Sequence, residues 1–274
     1  MTDFSTRLRR ATMVEHREAE TRSFISRLLA GSVPMTGYAA LTAQYLIIYR
    51  ELEAAAAHMR SLTGSSSGPA ADRADAVSDH AGAASDRSGT VSDRAGAAVD
   101  RSGAAADRAG AGSVAELVAG FADPALTRVP SLEADLAHLY GPDWESAITV
   151  LDSTRRYAER LREHAATSPT HFIAHHYVRY LGDLSGGQMI GRTLANLYGL
   201  GEAGTSFYRF ERIPDPRAYK LAYRARLDAL DLTEDQAGVM VAEAQLAFRC
   251  NADIFVELGA HYPESPEDDL APAA

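Results

Sequence analysis

The sequence predicts an all-α, single-domain, multi-helix bundle, and three observations carry that prediction. Apolar residues recur at three- and four-residue steps in most long segments. Helix-opening signals stand before several of those segments, and glycine or glycine-proline follows them. Strand-like alternation is confined to a weak hint between Thr205 and Ile213.

Taken in order, Ser5 and Thr6 are candidate caps for a helix running from Arg7 to Leu29 and ending before Gly31. Thr36 opens a second helix, in which Tyr38, Leu41, Tyr45, Ile48, Tyr49 and Leu52 form one apolar stripe that closes near Gly64. A short segment carries Val114, Leu117, Val118 and Phe121, and Pro130-Ser131 begins a helix that stops at Gly141-Pro142. Ser153 to Ala166 follows, with Tyr157 and Leu161 inward. Asp215 before Pro216 marks a helix to about Leu230, and Thr233 with Gln236 forms a capping box for a last helix ending at Gly259.

Between Ser65 and Ser113 large apolar residues almost vanish. Asp72, Asp79, Asp86, Asp93, Asp100 and Asp107 are seven apart, and Gly82, Gly89, Gly96, Gly103 and Gly110 keep the same step. A heptad without an apolar pair, and with a glycine in nearly every unit, cannot bury enough surface to order itself. The expected organisation is therefore a helical domain over 1–64 and 114–261, interrupted by a disordered low-complexity insertion at 65–113 and followed by an acidic disordered tail at 262–274. Replacing the insertion by a short linker should leave the domain working, because loop length costs little.

The net charge is −10, but the insertion carries seven Asp against five Arg and the tail four acids without a base. The rest is only mildly acidic, which gives no sign of nucleic-acid binding. No run of about 18 apolar residues and no signal-peptide pattern is present, so a soluble, cytoplasmic protein without a membrane anchor is expected. The single cysteine, Cys250, excludes an intrachain disulfide and a cysteine-rich metal cage.

The most unusual stretch is His175 to Leu200. It has helical periodicity, yet Gly182, Gly186 and Gly187 stand inside it, each costing roughly 1 kcal/mol relative to alanine. Gly182 and Gly186 share one face, which is bare for a full turn. Arg179 and Asp183, also four apart, set a cation and a carboxylate beside that strip. On spacing alone this is a close helix crossing with a surface ion pair. His175 and His176 read as structural or surface residues.

The wording YVRYLGDLSGGQ at residues 177–188 resembles the distal helix of the heme oxygenases, and RLRRATMVEHREAE at residues 7–20 resembles their proximal helix. Further resemblance lies in YRELE, LEADLAHLYGPDW, RYAERL, AYKLAYRARL and AFRCNADIF, and it covers essentially the whole chain outside the insertion and tail. It implies a fold with haem held between a proximal and a distal helix. It makes His16 the axial iron ligand, steadied by Glu20 one turn on, and sets Tyr177, Gly182, Ser185, Gly186 and Gly187 on the distal haem face. Lys220, Tyr223 and Arg224 match the propionate clamp, Arg9 matches a lysine that also faces a propionate, and Phe248 and Asn251 match pocket-lining positions. Asp183, Arg179 and Tyr49 match the distal catalytic network, in which the aspartate holds water beside the iron-bound oxygen.

The reaction so implied is oxidative cleavage of haem, at once cofactor and substrate, to biliverdin, carbon monoxide and ferrous iron. No nicotinamide or flavin fingerprint appears, so electrons are expected from a separate soluble donor, a ferredoxin or a flavoprotein reductase. A non-catalytic haem carrier or sensor would use the same His16 and basic clamp; the Asp183 motif argues against it. A thiaminase-like enzyme would share the helical architecture but would need Cys250 as nucleophile.

Overall fold

The computed structural model describes residues 3–64 and 118–264. The heptad repeat lies outside the described residues, as does the tail from residue 265 onward. Among the described residues there are helices and turns and no strand. The helices are α1 Phe4–Ala11, α2 Met13–Glu20, α3 Ser23–Ala30, α4 Met35–Gly64, α5 Val129–Tyr140, α6 Trp144–Ala147, α7 Asp152–Arg160, α8 Pro169–His176, α9 Gln188–Tyr198, α10 Pro216–Asp228 and α11 Glu234–His261.

The N-terminal segment is three short helices rather than the continuous one expected. Threonines break it: the Thr12 hydroxyl donates to the Leu8 carbonyl at 2.9 Å, and the Thr21 hydroxyl to Arg17 at 2.9 Å. A β-branched residue bonding back to its own helix competes with the ladder and bends it. The first cap also differs, because helix α1 begins at Phe4 and Ser5 instead gives its N–H and hydroxyl to the Asp228 carboxylate of α10. Gly31 closes α3 with φ of 80°, and Gly199 closes α9 with φ of 64°, both in the left-handed region glycine enters without steric cost. The later caps form as the sequence indicates. Asp215 accepts from Ala218 N–H, and Thr233 with Gln236 completes a reciprocal capping box.

The glycine-rich region is helical from Pro169 to Tyr198, with two wide turns of π-helix at Tyr177–Leu181 and Asp183–Gly187. The Thr205 to Ile213 segment holds a 3-10 turn, Ser206–Tyr208, instead of a strand. Its backbone is tied by α5: the Asp135 carboxylate accepts from Ser206 N–H at 2.8 Å and Phe207 N–H at 2.8 Å.

A single apolar cluster joins the helices, with Leu8, Phe24, Leu46, Tyr157, Phe172, Leu194 and Met240 fully buried. The long helix α11 packs along α8, α7, α2 and α3, while α4 packs against α5. Expected as the start of a free tail, Tyr262 is docked: its ring lies 6.4 Å from Phe24, its hydroxyl donates to Thr36, and its carbonyl accepts from Arg27.

One polar cluster lies inside this core. Glu243 of α11 accepts two hydrogen bonds from Arg160 at 2.9 and 2.6 Å and one from His175 Nε2 at 2.8 Å. His175 is wholly buried, and its Nδ1 stands 3.2 Å from the Tyr157 hydroxyl. Burial lowers the His175 pKa, so the ring is neutral, with Nε2–H donating to Glu243 and Nδ1 accepting from Tyr157. His176 is held neutral too, lowered to about 3 by burial and by Arg226, and bonds to the Tyr223 hydroxyl at 2.9 Å. Both histidines are structural and neither is at the surface.

Two predictions follow from this packing. A Cβ on Gly191 would lie 2.6 Å from the Tyr208 Cβ. Gly191→Ala should therefore cost about 1–3 kcal/mol and lower the thermal midpoint by several degrees in a melting experiment. An unchanged midpoint would show that the 205–210 segment moves freely.

The second concerns acid. Although burial opposes ionisation of Glu243, the His175 and Arg160 hydrogen bonds outweigh it and hold its carboxyl at about 2 against an ordinary 4.5. A depressed folded-state pKa gives stability that is present above the unfolded value and lost as pH falls through the folded one, here between 4.5 and about 2. The difference is worth about 3 kcal/mol at most. Glu243→Gln should flatten the fall in urea-unfolding stability across that window, and a parent-like slope would assign the effect to another carboxyl.

Candidate active site

A cleft of about 590 Å³ opens between α1–α2 on one side and the glycine-rich stretch on the other, with α3, α4, α10 and α11 completing its walls. That volume is in the range of small-molecule sites. Its lining is mostly apolar, from Leu28, Leu41, Ile190 and Phe255 among others, with polar groups entering at a few points.

His16 and Glu20 lie on the α2 wall. Glu20 Oε2 is 3.2 Å from His16 Nδ1, and the imidazole meets the Phe248 ring edge-on at 5.4 Å. With Nδ1–H directed at the carboxylate, the free lone pair of the neutral ring is on Nε2. The His16 side chain is 48% exposed, so a partner can reach it without the helix moving.

Across the cleft stand Gly182, Asp183, Ser185, Gly186 and Gly187. A Cβ on Gly182 would meet nothing within 4 Å, and one on Gly186 only the tip of Ile190 at 3.8 Å. The bare strip therefore faces open cleft, which corrects the helix-crossing reading. The close approach occurs one turn later and on another face, where Gly187 and Gly191 meet Tyr208.

Behind the strip Arg179 is 5% exposed and donates from Nη1 to Asn251 Oδ1 at 2.7 Å. Its guanidinium lies over the Tyr45 ring at 4.4 Å and the Tyr49 ring at 4.9 Å. Burial works against that charge, but the electron-rich Tyr49 ring and the Asp183 carboxylate keep its pKa above the ordinary arginine value. The Tyr49 hydroxyl donates to Asp183 Oδ2. Burial raises the Asp183 carboxyl, and Arg179, the Tyr49 hydrogen bond and Arg128 oppose the rise. Burial also keeps Tyr49 a neutral phenol. One carboxylate oxygen is thus fixed by a donor while the side chain faces the cleft.

At the mouth, Arg9 and Arg224 line the cleft with Tyr177. Burial raises the Tyr177 pKa, and Thr12, Arg224 and Arg9 ease its ionisation. Lys220 is not in the lining but reaches its rim, with Nζ 3.4 Å from Ser185 Oγ.

Most residues singled out in the sequence converge here: Arg9, His16, Glu20, Tyr177, Arg179, Gly182, Asp183, Ser185, Gly186, Gly187, Arg224, Phe248 and Asn251 all line one cleft. Two do not. Tyr223 turns into the core, where it bonds His176 and packs on Phe121 at 5.0 Å, because its side of α10 faces the interior. Tyr49 is fully buried and acts on the cleft through Asp183 and Arg179. Conversely, Tyr45 was read as core and lines the cleft, as does Tyr208. Tyr45 precedes Tyr49 by one turn, a spacing that could have signalled it. Burial pushes the Cys250 thiol up to about 11, the wrong direction for a nucleophile.

A family model described as heme oxygenase matches residues 2–69 and 105–257. Heme oxygenase 1 of the cyanobacterium Synechocystis is 41% identical over 135 residues, which is 49% of this chain and 56% of that protein. A heme oxygenase of Takifugu rubripes is 41% identical over 134 residues, 48% of each chain. The chain thus matches about half the length of these curated relatives. Among solved structures, Synechocystis heme oxygenase-1 in complex with heme superposes with a TM-score of 0.71 at 27% identity, covering 95% of this chain and 94% of that one. Heme oxygenase-2 of the same organism, in complex with heme and NO, gives 0.72 at 28% identity, covering 95% and 86%. With the cleft, the helices around it and the family match in agreement, the chain belongs to the heme oxygenase family.

Proposed function

We propose that this protein is a heme oxygenase that cleaves haem to biliverdin, carbon monoxide and ferrous iron with oxygen and external electrons. The observation that carries the reading is the opposition, across one cleft, of His16 with its tautomer set by Glu20 and a helix face stripped of side chains beside Asp183. A flat group with a metal at its centre and anionic substituents fits that arrangement. The Gly182 space that a side chain would fill admits a planar face, His16 Nε2 offers a lone pair, and Arg9, Arg224 and Lys220 supply cations at the rim.

When bound, haem would supply both the oxygen-activating iron and the ring carbon that is attacked. The chain's own residues then have distinct tasks. His16 anchors the iron, and its neutral imidazole lacks the strong electron push of a thiolate. Arg9 and Arg224, with Lys220, orient the ring by its propionates. Asp183 holds a water in the distal space, with one oxygen fixed by Tyr49 and the other left to accept. Arg179, tied to Asn251, keeps a positive charge beside that carboxylate and favours its ionised form. The glycine strip brings backbone, and no bulky side chain, over the reacting face.

Electrons come from a separate soluble donor, a ferredoxin or a flavoprotein reductase, and the cytoplasm is the proposed location. Among the described residues no helix is long and apolar enough to cross a membrane.

His16→Ala should abolish the histidine-ligated visible spectrum seen on adding haem, with partial recovery in imidazole; an unchanged spectrum would move the ligand elsewhere. Asp183→Ala should keep haem stoichiometry, because the ligand and the cationic rim remain. Biliverdin formed in a single turnover should fall by about 10²-fold, the lower end for a positioned proton-transfer group. A parent-like rate would make Asp183 a structural partner of Tyr49 and remove the proposed mechanism at its central step.

A further inference from the structure

Arg179 presents an unusual solvation problem. It is a cation 95% removed from water, since only 5% of it is exposed, and hydrogen bonding accounts for Nη1 alone, through Asn251. Nε and Nη2 are buried and have no hydrogen-bond partner among the described residues. A buried guanidinium left in that state is costly unless something else stabilises its charge. Two aromatic faces lie against it, Tyr45 at 4.4 Å and Tyr49 at 4.9 Å, one helical turn apart on α4. Both distances are within cation–π range, and such contacts strengthen when water is excluded.

The two rings are not equivalent. Tyr49 spends its hydroxyl on Asp183, so replacing it disturbs the carboxylate directly. Tyr45 lines the cleft beside Arg179, with its ring face against the guanidinium. We propose that Tyr45 is a positioning residue of the distal site: its ring face shields Arg179, keeping the guanidinium dry and fixed so that Asn251 and Asp183 meet a constant charge. The effect on the site is indirect, and the functional half of the proposal rests on the heme oxygenase reading above. The titratable and charged groups around this pair are Asp183, Tyr49 and Tyr157 near Arg179, and Arg128, Tyr180 and Tyr208 near Asp183. Tyr208 and Tyr38 also face Tyr45 directly, and all of these groups keep their identity in the Tyr45 variants.

The test compares Tyr45→Phe, which keeps the ring, with Tyr45→Leu, which removes it. The first readout needs no haem. In the protein without ligand, the Arg179 Nε–H resonance, assigned by its loss in Arg179→Lys, should be shifted upfield by the rings and protected from exchange. Tyr45→Leu should lose most of that shift and about tenfold of the protection, the scale of one desolvated cation–π contact. Tyr45→Phe should retain both. The second readout uses the haem-loaded protein: the pH midpoint of its visible-spectrum change should move in Tyr45→Leu and stay in Tyr45→Phe, at unchanged haem stoichiometry. A Leu variant matching the parent in the resonance overturns the shielding role, as does a Phe variant that behaves like Leu. Failure of the parent to bind haem would overturn the functional reading alone, since the resonance is measured without it.

Discussion

Three glycines within Gly182 to Gly187 set the constraint that the surrounding helices satisfy. Interior glycines cost a helix roughly 1 kcal/mol each, and Gly182 and Gly186 also leave one face open to the cleft. The opposite face compensates. Tyr180 and Leu184 are buried there, and the preceding turn is tied through His175 to Glu243 of α11. The next turn is backed by Tyr208, whose segment Asp135 clamps by its backbone. A stretch that is weak by composition is therefore held from behind and at both ends, and widens into π-turns in the middle, where such turns often accompany functional sites.

His175 and Arg179, four residues apart on that helix, each reach a buried charged centre, and the two centres are stabilised by different means. Glu243 is satisfied by direct donors, Arg160 and neutral His175, and keeps its charge despite burial. Arg179 has one acceptor and two rings. The first arrangement is rigid and remote from the cleft lining. In the second, no direct ion pair among the described residues neutralises the arginine, and its field reaches Asp183, where it opposes the effect of burial.

Much of this was legible because it is local. The Asp215 and Thr233 caps, the His16–Glu20 turn and the bare face of Gly182 and Gly186 follow from helical spacing, and the structure bears out each geometry. What the sequence did not reveal depends on partners distant along the chain. Thr12 and Thr21 split the first helix through back-bonds that a run of helix formers conceals. Tyr223 sits on the same helix as Arg224, yet its orientation depends on where His176 lies, 47 residues away. The roles of Tyr45, Tyr208 and Gly191 likewise exist only once α4, the 205–210 segment and α9 are brought together. Periodicity marked Tyr45 as inward but could not say that inward, at that turn, meant a cleft.

The packing of α1, α2 and α3 against α11 has a consequence for how the protein is made. The wall that carries His16 is synthesised before the helix it rests on and before the Tyr262 that pins α3, which lie more than 200 residues further along the chain. Contacts of such long sequence separation form slowly and only after their loop entropy is met. On the ribosome the proximal wall therefore waits, short and marginal as an isolated set of helices, until α11 has emerged. Because Phe248, Asn251 and Phe255 of α11 also line the cleft, its two walls meet only when that helix has packed.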